Sequence, residues 1–334
     1  MAENTKWVVS GAPHIHGSDS VTKIMWGVVI ALIPAFLVSV YFFGLQALVL
    51  TLVTVASCLL FEFLINKFFF KRPCCLGDGS AMITGLLLAL NLPSNLPLWM
   101  AIVGSLVAIG VAKWAYGGLG SNPFNPALVG RVFLLISFPV AMTTWPLPHA
   151  LFGGSAVTDA ITGPTPLAIA KEALKTGQTP EQIMSELPAY SDMLFGNMAG
   201  SMGEISAIAI LLGGIFMLCR RIITWHIPVA FLGSAFIFAG ILWLADPTQF
   251  MDPVFHLLTG GIMLGAIFMA TDMVTSPMTN KGKLIFGVGC GVLTILIRTF
   301  GAYPEGVSFA ILIMNAFVPL INRGCTPKRF ANAK

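Results

Sequence analysis

Charge is the first thing this sequence has little of. Only 10% of its 334 residues are Asp, Glu, Lys or Arg, against about 25% in a soluble globular domain. Hydrophobic residues make up 56%. That balance excludes a soluble globular fold and points to a polytopic membrane protein. The basic excess is small as well, 18 Lys and Arg against 14 acids. It excludes a nucleic-acid partner and suits basic loops on one side of a lipid bilayer. Cysteine is sparse and badly spaced. The six are Cys58, Cys74, Cys75, Cys219, Cys290 and Cys325. None forms a CxxC pair, so no iron–sulfur or zinc site is expected within the chain. The adjacent Cys74 and Cys75 read as loop thiols in a reducing compartment. His14 and His16 have no acid or cysteine beside them and read as solvated or subunit-contact residues. Residues 1–20 lack the basic start and immediate apolar run of a cleavable signal, so the first apolar helix is expected to remain as an anchor.

What is abundant is apolar sequence in helix-length pieces. A spanning helix needs roughly 20 mostly apolar residues. Ten apolar segments are expected, over residues 24–43, 46–65, 81–92, 98–116, 126–140, 204–218, 227–245, 254–271, 284–297 and 307–321. The expected fold class is an all-α polytopic membrane protein with about ten transmembrane helices. Lys67, Lys71 and Arg72 follow the second segment, Arg220 and Arg221 the sixth, Lys281 and Lys283 the eighth, and Arg323, Lys328 and Arg329 the tenth. Alternating spans put all of them on one side, which the positive-inside rule makes the cytoplasm. The expected location is therefore the bacterial cytoplasmic (inner) membrane, multi-pass, with both termini inside. Segments 81–92 and 126–140 are short and bounded by prolines. Short or interrupted segments at matched places in two halves mark an inverted repeat. The organisation expected is a cytoplasmic lead over 1–23, a five-helix repeat over 24–140, an extracytoplasmic loop over 141–203, a second and inverted five-helix repeat over 204–322, and a cytoplasmic tail over 323–334.

The loop over 142–203 is the only long polar stretch. It contains Thr158-Asp-Ala-Ile-Thr-Gly-Pro-Thr-Pro-Leu167: an acid (Asp159), a Gly163-Pro164 turn, and two hydroxyls (Thr162 and Thr165). Read on its own, this is a hydroxyl-rich loop with threonines that a modifying enzyme could reach. It also resembles the flavin-attachment motif of the RnfD/NqrB family of membrane flavoproteins. That motif runs acid, two variable residues, Ser or Thr, Gly, commonly Ala, then the modified Thr. The positions here are Asp159, Thr162, Gly163, Pro164 and Thr165, with proline where the family more often has alanine. The likeness extends along nearly the whole chain. Its landmarks are Gly77-Asp-Gly-Ser-Ala-Met-Ile-Thr-Gly85, Asn122-Pro-Phe-Asn-Pro-Ala-Leu128, Gly200-Ser-Met-Gly-Glu204, Ala270-Thr-Asp-Met-Val-Thr-Ser-Pro277 and Arg298-Thr-Phe-Gly-Ala-Tyr-Pro-Glu-Gly306. The opening Gly11-Ala-Pro-His-Ile-His16 and the short lead before the first helix favour the Rnf branch.

The resemblance implies an ion-motive complex that passes electrons between ferredoxin and NAD. It implies FMN joined through its phosphate to Thr165, and a second, non-covalent riboflavin. Implied partners are the other Rnf subunits, RnfG, RnfA, RnfE and RnfC, together with membrane lipid. No side chain is expected to act as acid, base or nucleophile, because the cofactor carries the electron chemistry.

Charges inside a bilayer are costly and functional by default. Glu62, Arg131, Asp272 and Arg298 qualify, with Asp78 and Glu204 at helix starts; a snorkelling or helix-end charge is the alternative for each. On the outer side Arg298, Tyr303, Glu305 and Glu204 end or begin helices facing the Thr165 loop, where an arginine suits a flavin phosphate. On the inner side, glycine and polar residues concentrate at 77–80, 122–125 and 271–275. Asp78, Gly79, Ser80, Asn122, Asn125, Asp272 and Thr275 are the candidates for the second flavin, with Arg131 expected to pair with Asp78 or Asp272. Two other readings stay open: a quinone-reductase subunit of the NqrB type, and a channel or secondary transporter built on the same repeat.

Overall fold

The computed structural model describes residues 20–71, 76–148, 162–301 and 303–326. The first apolar pair forms one long helix, α1 (Val21–Leu64), whose start is capped by the Ser20 hydroxyl accepting from the Lys23 N–H at 3.2 Å. Gly44 breaks it into two arms with φ 68 and ψ −149, a conformation open to glycine and costly for a residue with a Cβ. The second arm ends in a wide π-helical turn, Ile65–Phe70. Helix α2 (Ser80–Leu90) is short and buried along most of its length. Helix α3 (Leu98–Leu106) runs on into a second π-helical turn, Val107–Val111. Asn125 caps α4 (Pro126–Ser137), accepting from the N–H groups of Ala127 and Leu128, and α5 (Pro139–Thr143) follows.

The polar stretch is more structured than a loop. Strand β1 (Trp145–Pro146) pairs antiparallel with β2 (Thr162–Gly163), Trp145 opposite Gly163. Three short helices follow, α6 (Pro166–Lys175), α7 (Pro180–Glu186) and α8 (Tyr190–Phe195). Each of the first two has Thr at the N-cap and Pro at the first helical position, where its missing N–H is not needed. Leu167, Ile183 and Met193 pack with Met251 and Phe255 in a separate small core. The stretch therefore folds back onto the helical body.

The rest comprises α9 (Ala207–Cys219), α10 (His226–Ala245), α11 (Pro253–Leu258), α12 (Ile262–Leu264), α13 (Asn280–Phe300) and α14 (Val307–Gly324). The segment expected as one helix over 254–271 is interrupted instead. Thr259 leaves the helix, Gly260 and Gly261 both take positive φ, and the chain resumes as α12 and a π-helical turn, Gly265–Met269. Helices α10 and α13 pack face to face. A Cβ on Gly291 of α13 would collide with Ser234 Oγ and with the Phe231 carbonyl of α10. Small residues allow such close approach where helices associate in lipid.

Among the described residues, five helical stretches are long and apolar enough to cross a membrane: Val21–Phe70, Leu98–Tyr116, His226–Ala245, Asn280–Phe300 and Val307–Gly324. This is a multi-pass, largely helical membrane protein. Three shorter apolar helices, Ser80–Leu90, Pro126–Ser137 and Ala207–Cys219, lie among them. The start of α13 meets the α9–α10 connection and the end of α14, through Lys283 Nζ to Thr224 Oγ1 at 3.3 Å and the Met278 N–H to Asn322 Oδ1 at 3.2 Å. Lys281, Lys283, Arg220, Arg221 and Arg323 thereby gather at one end of the body. At 1.5 Å per residue, the 21 residues of α13 place its far end about 30 Å away.

Candidate functional site

Two groups of buried polar side chains occupy the two ends of α13. The first surrounds the start of α2. Lys113, only 2% exposed, donates to both Glu62 carboxylate oxygens at 2.8 Å and to Ser80 Oγ at 2.7 Å. Ser80 in turn donates its hydroxyl and its N–H to Asp78 Oδ1, at 2.8 and 2.9 Å. The π-helical turn before Lys113 aims it inward. A lysine and a glutamate out of water are tolerable only when paired this closely.

Beside this network lies a cavity of about 800 Å³ counting its open mouth. Ser80, Lys113, Asn122, Asn125 and Asp272 supply its polar groups, while Ile83, Leu87 and Phe268 supply apolar walls. Asn125 Nδ2 donates to the Met269 carbonyl at 3.2 Å, tying α4 to the end of the interrupted helix. Thr275 Oγ1 donates to Asp272 Oδ2 at 3.1 Å. Ile222, Thr271 and Met273 line both this cavity and the surface beside Lys283, so the cavity sits at the basic end.

The second group lies at the far end of α13. Arg298 is 3% exposed. Its Nη1 donates to the His256 carbonyl at 2.6 Å, and its Nη2 to the carbonyls of Thr259 and Gly260, each at 2.8 Å. These are the carbonyls left free where α11 ends, so Arg298 stitches the interruption closed. A Cβ on Gly260 would collide with Leu167 of α6 and with Arg298 itself. Lys171 of α6 donates to the carbonyls of Arg298, Gly301 and Tyr303, covering the end of α13. Burial, and then the nearby charge of Lys175, lower the Lys171 pKa. Burial and a hydrogen bond to Asp252 raise that of Tyr190. Glu204 accepts from Ser201 Oγ at 3.0 Å. Arg131 of α4 donates to the Glu305 carboxylate and to Ser308 Oγ.

Thr165 opens α6. Its hydroxyl oxygen accepts from the Ala168 N–H at 3.2 Å, and it is 2% exposed. It is therefore a buried helix cap rather than a residue at a loop tip, because Pro166 starts a helix directly behind it. Thr162 lies in β2 and is exposed; Gly163 is half-buried. Asp159 lies outside the described residues, as do His14, His16, Arg72, Cys74, Cys75, Lys328 and Arg329.

Of the residues singled out by sequence, Ser80, Asn122, Asn125 and Asp272 meet at one cavity. Asp78 and Thr275 bond to members of that group, and Gly79 takes a left-handed conformation just ahead of α2. Arg131 does not join them. The expected partner, Asp78 or Asp272, is corrected to Glu305. Arg131 lies nearly two turns beyond the Asn125 cap, and its side chain meets Glu305 and the first turn of α14 instead. Arg298 and Glu204 lie near the break in the interrupted helix, where a Cβ on Gly261 would lie 3.7 Å from Glu204 Oε2. Tyr303 is exposed and stacks on Phe309. Lys113, Lys171 and His256 are additions that the sequence reading does not contain.

The order and spacing of these stretches can be compared with known families. Residues 8–331 match the NQR2, RnfD, RnfE family over almost the whole chain. The chain belongs to that family. It is 43% identical over 332 residues to a subunit of the proton-translocating ferredoxin:NAD(+) oxidoreductase complex of Clostridium ljungdahlii, covering 98% of this chain and 97% of that protein. It is 44% identical over 318 residues to a subunit of the Na(+)-translocating ferredoxin:NAD(+) oxidoreductase complex of Acetobacterium woodii, covering 94% and 92%. To a subunit of the ion-translocating oxidoreductase complex of Stutzerimonas stutzeri it is 43% identical over 328 residues, covering 93% and 92%. Of the stretches that carry the family likeness, Gly77–Gly85, Asn122–Leu128 and Ala270–Pro277 form the cavity end. Gly200–Glu204 and the described residues of Arg298–Gly306 form the Arg298 end.

Proposed function

We propose that this chain is the membrane flavoprotein subunit of an ion-translocating ferredoxin:NAD oxidoreductase complex. It carries FMN esterified through phosphate to Thr165 and a riboflavin held without a covalent bond in the cavity beside Lys113. The reading rests on the relatives' names and on one structural observation: the two buried polar groups lie about 30 Å apart, one against α6, which Thr165 opens, and one around the cavity. When bound, the flavins supply the electron chemistry; the protein sets their positions and excludes water.

The cavity residues fit the second flavin, while Thr165, buried as the cap of α6, has to turn its hydroxyl outward to carry FMN. A phosphate on Thr165 would stand at the N-terminus of α6, where free N–H groups and the helix dipole favour an anion. The cavity's polar side chains face apolar ones across an open gap. That suits a flat ring with hydrogen-bonding edges. Two acids, Asp78 and Asp272, stand at or beside the cavity, and its single lysine is already bonded to Glu62. That balance favours riboflavin over a phosphorylated flavin.

The architecture belonging to this reading is ten spans in two inverted five-helix repeats. An interrupted or shortened apolar helix in each half supports it, α2 in the first and α11–α12 in the second. Each has a buried base against it, Lys113 and Arg298 respectively. The gathering of Lys and Arg at the cavity end makes that end cytoplasmic, and Thr165 extracytoplasmic. The partners are the remaining Rnf subunits. Relatives named for H⁺ and for Na⁺ are almost equally similar, so identity does not choose the ion. Acid extraction tests the second flavin. Thr165→Val protein, purified mildly, should release a stoichiometric amount of riboflavin, and the Asn122→Leu/Asp272→Leu double variant should release none. Absence of any extractable flavin from the first protein would contradict the reading.

A further inference from the structure

A cleft of about 1390 Å³, counting its open mouth, runs between α6 and the far end of α13. Lys171, Lys175 and Arg298 line it together with His256, and among the described residues no aspartate or glutamate does. Arg298 serves the break after α11 through three backbone carbonyls. Lys171 is engaged with the end of α13, but Lys175 is exposed and no acid pairs with it among the described residues. Among the described residues, His256 Nδ1 and Arg298 Nε are buried without a hydrogen-bond partner, in residues 7% and 3% exposed. Buried polar atoms normally find partners; with the Gln178 Oε1 acceptor, which also lines the cleft unpaired, these atoms leave room for a ligand carrying both acceptor and donor groups. Its sign follows from the lining: it is an anion.

The mouth tells what kind of anion. Phe250 and Phe300 frame it with ring centroids 6.4 Å apart. Phe300 ends the membrane-length α13 and is 68% exposed; Leu244, near the end of α10, is 74% exposed. A cationic cleft thus opens beside the apolar ends of two helices long enough to span a bilayer. The cleft exceeds what a bare phosphate fills.

We propose that this cleft binds the phosphate headgroup of an acidic phospholipid, whose acyl chains lie along α10 and α13. Lys175 makes the first contact, and the inner wall of the cleft holds the headgroup. The uncharged Gln178, Thr179 and Thr248 side chains, which also line it, suit a headgroup bearing hydroxyls. The site does not depend on a flavin at Thr165.

Native mass spectrometry of the full chain in mild detergent, offered phosphatidylglycerol and phosphatidylcholine vesicle lipids, tests this. A phosphatidylglycerol adduct should survive where phosphatidylcholine does not, and equally in Thr165→Val protein. Lys175→Gln, an exposed substitution, should weaken it about fivefold, the usual worth of one basic side chain at an anionic lipid surface. Lys281→Gln, an exposed lysine at the opposite end, should leave it unchanged. Equal retention of both lipids, or equal weakening by Lys175→Gln and Lys281→Gln, would overturn the proposal. Displacement of the lipid by millimolar inorganic phosphate would overturn it in favour of a free anion. An adduct seen only when Thr165 is replaced would overturn it in favour of the flavin.

Discussion

Lys113 and Glu62 stand 51 positions apart in the chain and form a two-oxygen ion pair almost closed to solvent. Removing one partner leaves the other charge buried and alone. Lys113→Met should therefore cost about 3–5 kcal/mol, and Lys113→Met with Glu62→Leu should recover most of it. Thermal unfolding in detergent checks both; equal loss in the single and double variants would contradict the pairing. Glu62 is visible in the sequence as a charge inside an apolar run. Lys113 carries the same signal within residues 98–116, but its place near the run's end makes it look like an interfacial base. Arg131 shows the converse limit. Its position within a membrane helix is legible, yet its partner is not, because two acids on the cavity side and two on the far side, Glu204 and Glu305, are open to it. Only the depth of Arg131 along α4, and the approach of α14, select Glu305.

At the scale of elements, the apolar runs report most of the helices, since a bilayer demands long stretches with few charges. The interruptions are less visible. Thr259-Gly-Gly breaks the helix following α10 although the residues on either side are apolar, and the cost of the exposed carbonyls is met by Arg298, 39 positions beyond Thr259. Helices α6 and α7 have local signals that a reading of the segment as a polar loop passes over. Thr165-Pro166 and Thr179-Pro180 each pair an N-cap with a proline at the first helical position, and Gln182 completes a capping box with Thr179. Helix packing makes its own prediction. Gly291→Ala should force α10 and α13 apart and destabilise the protein by about 1–3 kcal/mol, despite alanine's better helix propensity. A lowered unfolding temperature with unchanged helix content by circular dichroism is the expected result.

For the whole molecule, the two ends carry different chemistry, and which way they face decides where electrons and ions meet the membrane. In a cysteine-free chain, Glu186→Cys should react with an impermeant maleimide in intact cells, and Lys281→Cys should react only after permeabilisation. The reverse pattern would invert the orientation. The central claim is the covalent flavin on Thr165. A phosphate ester survives denaturing electrophoresis, so the wild-type band should fluoresce under ultraviolet light, and Thr165→Val should abolish that fluorescence while the protein still reaches the membrane. A band that stays fluorescent in Thr165→Val, and darkens only with Thr162→Val, would contradict the account.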